Sequence, residues 1–380
     1  MENFIINNPT CLHFGRGVID DLSKVLGKYG KRVLLVYGKN SIKTNDIYRQ
    51  IINQINIANA SVYEYSGIKS NPVISDVDAA AAVGRDNQVD VIVAVGGGSV
   101  IDSAKIIALA VPMQNTAWDI MENKVKPVRS IPLIAVLTLA ATGSEMNPFA
   151  VVQNDLTKQK PGYFSPLIFP KHSFLDPVFT YSVPADYTAY GIVDLVAHAL
   201  EGFFGKGETS LTDRFISSII KEAMEYGPLL LKHLNKYEYR EKIMFAATCA
   251  LNGMTSYGKK NGDWGVHGIG HSLSVLYDVP HGASLSIAYP AWMKYFKNQI
   301  GEKLSFLGKE LFNTPDPTVT IQGFEMFFKQ LGAPTKLSDL GLGSRHKIEI
   351  INNLITNKVN GDNFLMDKVD LENIFDLMAN

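Results

Sequence analysis

Cysteine is scarce in this 380-residue chain: only Cys11 and Cys249 are present. They stand far apart in sequence, which excludes a disulfide framework. Neither sign of charge is in excess, since 36 basic and 37 acidic residues leave a formal net charge of −1. That balance excludes the bulk basicity of a nucleic-acid or membrane-surface binder. The first ten residues, "MENFIINNPT", have neither the basic nor the apolar region of a signal peptide, so the cytoplasm is the expected compartment. Long hydrophobic runs are missing too. The longest, "IPLIAVLTLAA", is too short to span a bilayer and reads as a buried strand. There is no internal repeat, heptad seam or low-complexity tract.

What remains is a globular profile, 46% hydrophobic and long enough for two domains. From about residue 30 to 180, short β-branched runs alternate with helical spacing. "RVLLVYG", "SVYEY", "DVIVAVGGG" and "SIPLIAVLT" read as strands. "DIYRQIINQI", "VISDVDAAAAVGRDN" and "SVIDSAKIIALA" read as helices between them. Strands apolar throughout and joined by helices predict a parallel sheet covered on both faces. After the proline-bearing stretch at 177–184 only helical spacing continues. The expected fold is therefore a doubly wound, Rossmann-like α/β domain over residues 1–183, followed by an all-α domain over 184–380.

Gly96-Gly97-Gly98-Ser99 ends one strand and opens a helix. Glycines let the backbone approach an anion, and the helix N-terminus attracts it. The run lacks the third glycine of the usual dinucleotide fingerprint, with Ile101 in its place, and it lacks the lysine of a nucleoside-triphosphate loop. A tight strand–helix turn is the alternative; the flanking pattern favours a pyrophosphate site. A second turn, "YGKNS" at 37–41, supplies Lys39, Asn40 and Ser41 but no carboxylate. If a nicotinamide dinucleotide binds, that composition favours NADP over NAD; a solvated turn is the competing reading. In "TLAATGSEMN", Thr138, Thr142 and Ser144 either bond cofactor oxygens or cap a helix.

The chain has eight histidines, and three fall within "HGIGHSLSVLYDVPH" at 267–281. His267 and His271 are four residues apart in a helical segment. Asp194 and His198 have the same spacing in "GIVDLVAHAL", which places each pair on one helix face. His281 follows Pro280 at the start of another helix. One carboxylate and several imidazoles from three segments suit Zn²⁺ or Fe²⁺. The alternatives are hydrogen-bonded core histidines and a simple helix contact. Glu201, one turn beyond His198, is a substitute ligand or, preferably, a residue that orients one. His13, His172, His233 and His346 have no comparable companions and read as surface or packing residues.

Taken together, "GGGSVIDSAK", "TLAATGSEMN", "LDPVFTYSVPADYTAYGIVDLVAHALE" and "HGIGHSLSVLYDVPHGASLSI" closely resemble the iron-containing (group III) alcohol dehydrogenase family over essentially the whole chain. "YGKNSIK", "LTLAATGSE" and the "DW" before His267 look most like its NADPH-dependent butanol dehydrogenase and aldehyde reductase branch. The resemblance implies metal ligands at Asp194, His198, His267 and His281, with His271 near the nicotinamide and not ligating. It implies NADP(H) contacts from Gly38 and Ser41 near the adenosine, and from Gly97, Gly98 and Ser99 at the pyrophosphate. Asp102, Thr138, Thr142, Asn147 and Lys160 would line the remainder. It further implies a homodimer. Ala140, where branch members often have proline, and "HSLS", in place of a small-apolar run, depart from the pattern without removing a ligand.

The expected chemistry is interconversion of primary alcohols and aldehydes, with the metal polarising the substrate oxygen and hydride passing to or from the nicotinamide. His271 would relay a proton or orient the nicotinamide. Phe149, Tyr257 and Trp264 are candidate substrate-wall residues. A dehydroquinate-synthase-like lyase and a non-catalytic nucleotide sensor are the rivals, though the former needs a basic pocket that "GVHGIGHSLSVLYDV" does not supply.

Overall fold

A computed structural model describes every residue except Asn40, and every side chain except those of Asn40 and Ser41. Contacts divide the chain into two compact units. One is formed by Asn7–Val183 with Asn235–Met244, the other by Met1–Ile6, Pro184–Leu234 and Phe245–Asn380. One boundary between the units falls at 183/184, and two short segments group across it. The Glu2 N–H donates to the Gly258 carbonyl at 2.8 Å and Phe4 stacks on Tyr257, so the N-terminus joins the helical unit. Arg16 lies 4.5 Å over the Tyr237 ring and Met244 enters the α/β core, which carries 235–244 the other way. Periodicity cannot register either exchange, because both are made by contacts between residues remote in sequence.

The α/β unit holds strands β1 (Cys11–Phe14), β2 (Arg32–Tyr37), β3 (Ser61–Ser66), β4 (Val91–Gly96) and β5 (Leu133–Leu137). β6 (Phe149–Val151), β7 (Gly162–Phe164) and β8 (His172–Leu175) follow. Six strands form one parallel sheet in the order β1-β8-β5-β4-β2-β3, while β6 and β7 make a separate antiparallel pair. The helices are α1 (Leu22–Leu26), α2 (Ser41–Thr44), α3 (Ile47–Ile57), α4 (Ile74–Asp86), α5 (Gly98–Ala110) and α6 (Ala117–Met121). Strand alternation sorts the core into two layers. Leu34, Val36, Ile92 and Ala94 pack with α4 and α5, whereas Val33, Leu35, Val91, Val93 and Val95 pack with α1 and α3. Both sheet faces are covered, which is why the central strands read as continuous apolar runs. Each fully buried aliphatic side chain contributes about 1.5–3 kcal/mol relative to exposure. The four strands expected from sequence are β2 to β5; β1, β8 and the β6–β7 pair are too short to leave a legible pattern.

The helical unit contains α7 (Ala185–Phe204), α8 (Ser210–Lys232) and the second half of α9 (Tyr237–Ala250). It continues through α10 (Gly265–Tyr277), α11 (His281–Phe296), α12 (Gly301–Phe312), α13 (Pro317–Gln330), α14 (Lys347–Thr356) and α15 (Lys368–Ala379). Helix α7 is buried throughout from Ile192 to Phe204, packed against α8 and α11, and α11 in turn packs against α10, α13 and α15. Among the described residues, no helix is long and apolar enough to cross a membrane.

Candidate functional site

Two candidate sites emerge, one in each unit. In the α/β unit, β2 and β4 are neighbours, and the strand order reverses between them: β3 lies outside β2, while β5 and β8 lie beyond β4. The carboxyl ends of strands at such a reversal point are where doubly wound sheets bind nucleotides. Gly38 follows β2, and Gly97 is the residue from which α5 departs after β4. A side chain at Gly98 would have its Cβ 2.4 Å from Thr142, and one at Gly97 would lie 3.1 Å from Leu139. The glycines therefore let the α5 N-terminus pack directly against the 138–142 loop. The Thr138 N–H donates to the Gly96 carbonyl at 3.0 Å and fixes that loop to the end of β4.

Beneath this turn lies a polar network that sequence reading only partly foresaw. Lys105, fully buried on α5, donates to Ser144 Oγ (2.8 Å), Asn147 Oδ1 (3.0 Å) and the Phe149 carbonyl (2.6 Å). Asp102 accepts from Ser144 Oγ and from the Val151 N–H at 2.9 Å. Burial pushes the Lys105 ammonium down to about 8, against the opposing pull of Asp102 and Glu145. Asp102, Ser144 and Asn147 thus hold the loop after β5 onto α5. Lys160 donates to the Asn71 side chain at Oδ1 (2.7 Å), and Ser99 Oγ donates to the Ser70 carbonyl, so these two expected cofactor contacts also hydrogen-bond within the protein. Of the "YGKNS" turn, Asn40 and the Ser41 side chain lie outside the described residues. Nearby Glu64, on β3, accepts from Tyr37 and Tyr48 hydroxyls at 2.6 and 2.7 Å, while Lys43 lies 5.3 and 5.0 Å over those two rings.

In the helical unit, Asp194 and His198 lie one turn apart on α7, His267 and His271 one turn apart on α10, and His281 begins α11. The packing that unites them depends on small residues. Cβ atoms at Gly270 and Gly282 would lie 2.7 Å from Ser284 Oγ and 2.1 Å from the Tyr190 carbonyl oxygen. Those glycines let α11 approach α10 and α7. Ligand atoms of Asp194, His267 and His281 all fall within 4.8 Å of one another. Asp194 Oδ1 lies 3.9 Å from His267 Nε2, 3.6 Å from His281 Nε2 and 3.5 Å from His198 Nδ1. These separations are long for direct hydrogen bonds and near the roughly 3.4 Å expected between ligands sharing a tetrahedral ion at about 2.1 Å. His198 stands beside the tight trio, its ring centroid 4.7 Å from that of His267.

The donor set fits a divalent cation on two grounds. His267 Nε2 and His198 Nδ1 are buried and have no hydrogen-bond partner among the described residues, and such atoms are costly unless a ligand satisfies them. Burial, reinforced by His267, holds His198 well below the usual imidazole range. Glu201 takes the role preferred for it from sequence. Its Oε1 accepts from His267 Nδ1 at 2.6 Å and its Oε2 from the Trp264 N–H at 2.6 Å. That bond puts the His267 proton on Nδ1 and leaves the Nε2 lone pair directed at the cluster. Asp263 completes the support by accepting from Asn363 and Phe364 N–H groups at 3.0 and 2.8 Å, and burial, with Glu201 beside it, raises its carboxyl to about 6.

His271 lies 5.1 Å from the His281 ring and 6.4 Å from that of His267, in contact with the cluster yet outside the trio. Of the three candidate wall residues, only Trp264 meets the cluster, with ring centroids 5.3 Å from His267 and 6.3 Å from His198. Tyr257 stacks on Phe4, and Phe149 pairs with Phe164 on the β6–β7 hairpin.

The family model for iron-containing alcohol dehydrogenase matches residues 9–177, and the C-terminal model of the Fe-containing alcohol dehydrogenase family matches 188–379. The chain belongs to the iron-containing alcohol dehydrogenase family. It is 40% identical, over 98% of its length and 99% of the relative's, to the probable NADH-dependent butanol dehydrogenase 1 of Bacillus subtilis (strain 168). It is 35% identical, over 90% of both chains, to the NADPH-dependent aldehyde reductase YqhD of Escherichia coli (strain K12). The crystal structure of NADH-dependent butanol dehydrogenase A from Thermotoga maritima superposes with a TM-score of 0.97 at 34% identity, covering 100% of this chain and 99% of that one. As a member of this family the protein is an alcohol/aldehyde oxidoreductase that uses a nicotinamide cofactor. The lyase and sensor alternatives gain no support from these relatives.

Proposed function

We propose that the protein interconverts primary alcohols and aldehydes of butanol and butanal size, working with NADP(H) and one divalent metal, Fe²⁺ or Zn²⁺, since the same donor set takes either. The observation that carries this reading is the convergence of Asp194, His267 and His281 within 4.8 Å in the helical unit. Asp194, His198, His267 and His281 would hold the ion, and Glu201 keeps His267 in the ligating tautomer. When bound, the ion supplies Lewis acidity toward the substrate oxygen and the nicotinamide exchanges hydride with the substrate carbon. His271, the cluster imidazole outside the ligand trio, would pass the hydroxyl proton or orient the nicotinamide. Gly97, Gly98 and Ser99 would bind the pyrophosphate at the α5 N-terminus. Gly38 and Ser41 would lie by the adenosine, and Asp102, Thr138, Thr142, Asn147 and Lys160 would shape the remaining wall.

NADP(H) is favoured by Lys39 and Lys43 after β2 and by the double engagement of Glu64 with tyrosine hydroxyls. Relatives named for NADH and for NADPH both occur among the similar proteins, so direct comparison decides. NADPH should support faster butanal reduction than NADH at matched concentration; a clear preference for NADH overturns the coenzyme assignment. His267→Ala should lose bound metal and turnover together. Full activity in metal-free protein would sink the metal assignment. We place the protein in the cytoplasm as a homodimer, for which the mass from sedimentation equilibrium in analytical ultracentrifugation is the check on assembly.

A further inference from the structure

The second group of convergent ligands lies in the α/β unit. Strand β1 pairs in parallel with β8, in the register Cys11↔His172 and His13↔Phe174. Because side chains alternate along a strand, Cys11 and His13 share a face, and cross-strand partners share it with them. His172 therefore lies on the same face as Cys11 and His13. One potential ligand atom from each, the thiol sulfur and a ring nitrogen of either histidine, lies within 4.8 Å of the other two. His13 Nε2 is 3.0 Å from His172 Nδ1, and Cys11 Sγ is 3.7 Å from His13 Nε2.

We propose that Cys11, His13 and His172 form a second metal site, distinct from the helical cluster and selective for a borderline-soft ion of the Zn²⁺ type. A tetrahedral ion with bonds of about 2.0 Å to nitrogen and about 2.3 Å to sulfur separates two nitrogens by about 3.3 Å and a sulfur from a nitrogen by about 3.5 Å. The observed 3.0 and 3.7 Å need only small side-chain adjustment to reach those values. Burial is graded in the way an open three-ligand site requires: His172 is buried, His13 half-buried and Cys11 exposed, leaving the solvent side for water as a fourth ligand. His13 is also held from behind by stacking on Phe174, with ring centroids 4.3 Å apart, so its orientation does not depend on the ion. A thiolate and two imidazoles suit Zn²⁺ and disfavour Mg²⁺ or Ca²⁺, which prefer all-oxygen shells. The bound ion would clip β1, a four-residue strand at the edge of the sheet, to β8.

Cobalt substitution tests this directly, because the helical cluster contains no thiolate. Full-length protein stripped of metal and loaded with Co²⁺ should show a near-ultraviolet thiolate-to-cobalt charge-transfer band. Cys249→Ser should retain the band, Cys11→Ser should abolish it, and His13→Ala should weaken the binding that produces it by at least an order of magnitude. Zinc analysis should find one ion per chain fewer in Cys11→Ser, with aldehyde reduction retained. Should a variant misfold, the native protein still reports: Zn²⁺ should slow alkylation of the exposed Cys11 thiol. No band in the wild type, a band that survives Cys11→Ser, or alkylation indifferent to Zn²⁺ would each leave the cluster as a hydrogen-bonded histidine pair and overturn the site.

Discussion

Glu201 shows how one side chain decides what its neighbour can do. Accepting from His267 Nδ1 at 2.6 Å, it assigns the tautomer that leaves Nε2 available. Glu201→Gln preserves size but weakens that acceptor, and support of this kind is worth about 10–100-fold in metal affinity. Competition with a chromophoric chelator should therefore show affinity reduced by that factor, with the fold intact by circular dichroism; unchanged affinity would mean that Glu201 only fastens the Trp264 backbone. At Gly98 the constraint is space. Alanine would bring its Cβ to 2.4 Å from Thr142, and overpacking of this kind costs about 1–3 kcal/mol. The expected result is coenzyme binding at least tenfold weaker with metal content unchanged, partly restored by adding Thr142→Ala. Equal loss of metal in Gly98→Ala would show a general failure of folding instead. The Asp194/His198 and His267/His271 pairs were legible beforehand because i,i+4 spacing is a local property, and His281 because it follows Pro280 at a helix start. The roles of Lys105 and of the Cys11, His13 and His172 group were not. Reading His13 and His172 as companionless followed from their 159-residue separation, which only the β1·β8 register closes.

Helices α7, α10 and α11 bring the candidate ligands together by packing closely where glycines occur. A Cβ at Gly282 would sit 2.1 Å from the Tyr190 carbonyl oxygen, a backbone atom that cannot swing aside. Gly282→Ala should force the start of α11 away from α7 and carry His281 with it. At about 1–3 kcal/mol for overpacking and about 2–4 °C per kcal/mol, melting should fall by on the order of 5 °C. Metal content should fall as well. Normal metal occupancy in that variant would show that α11 can shift without disturbing His281. The strand pattern of the α/β unit was readable for β2 to β5, whose apolar runs are buried on both faces. The β6–β7 hairpin escaped notice because each strand has three residues, fewer than a period-two pattern needs.

For the molecule as a whole, the two units should respond separately to the two ligands. Hydrogen exchange should show faster exchange at the N-termini of α10 and α11 when metal is removed, with α5 unchanged. Adding NADPH should slow exchange at 96–102 and 138–147. Protection by NADPH confined to the helical unit would contradict the placement of the coenzyme site at the strand-order reversal. Sequence alone determined which of the longer segments become helix or strand, that the sheet is covered on both faces, and which acid and imidazoles lie on shared helix faces, because each follows from spacing within a few residues. Tertiary structure alone decided which segments belong to which unit, which imidazole Glu201 serves, and that Cys11 and His13 meet His172. Those outcomes depend on the register and approach of elements remote in the chain, and no local periodicity encodes them.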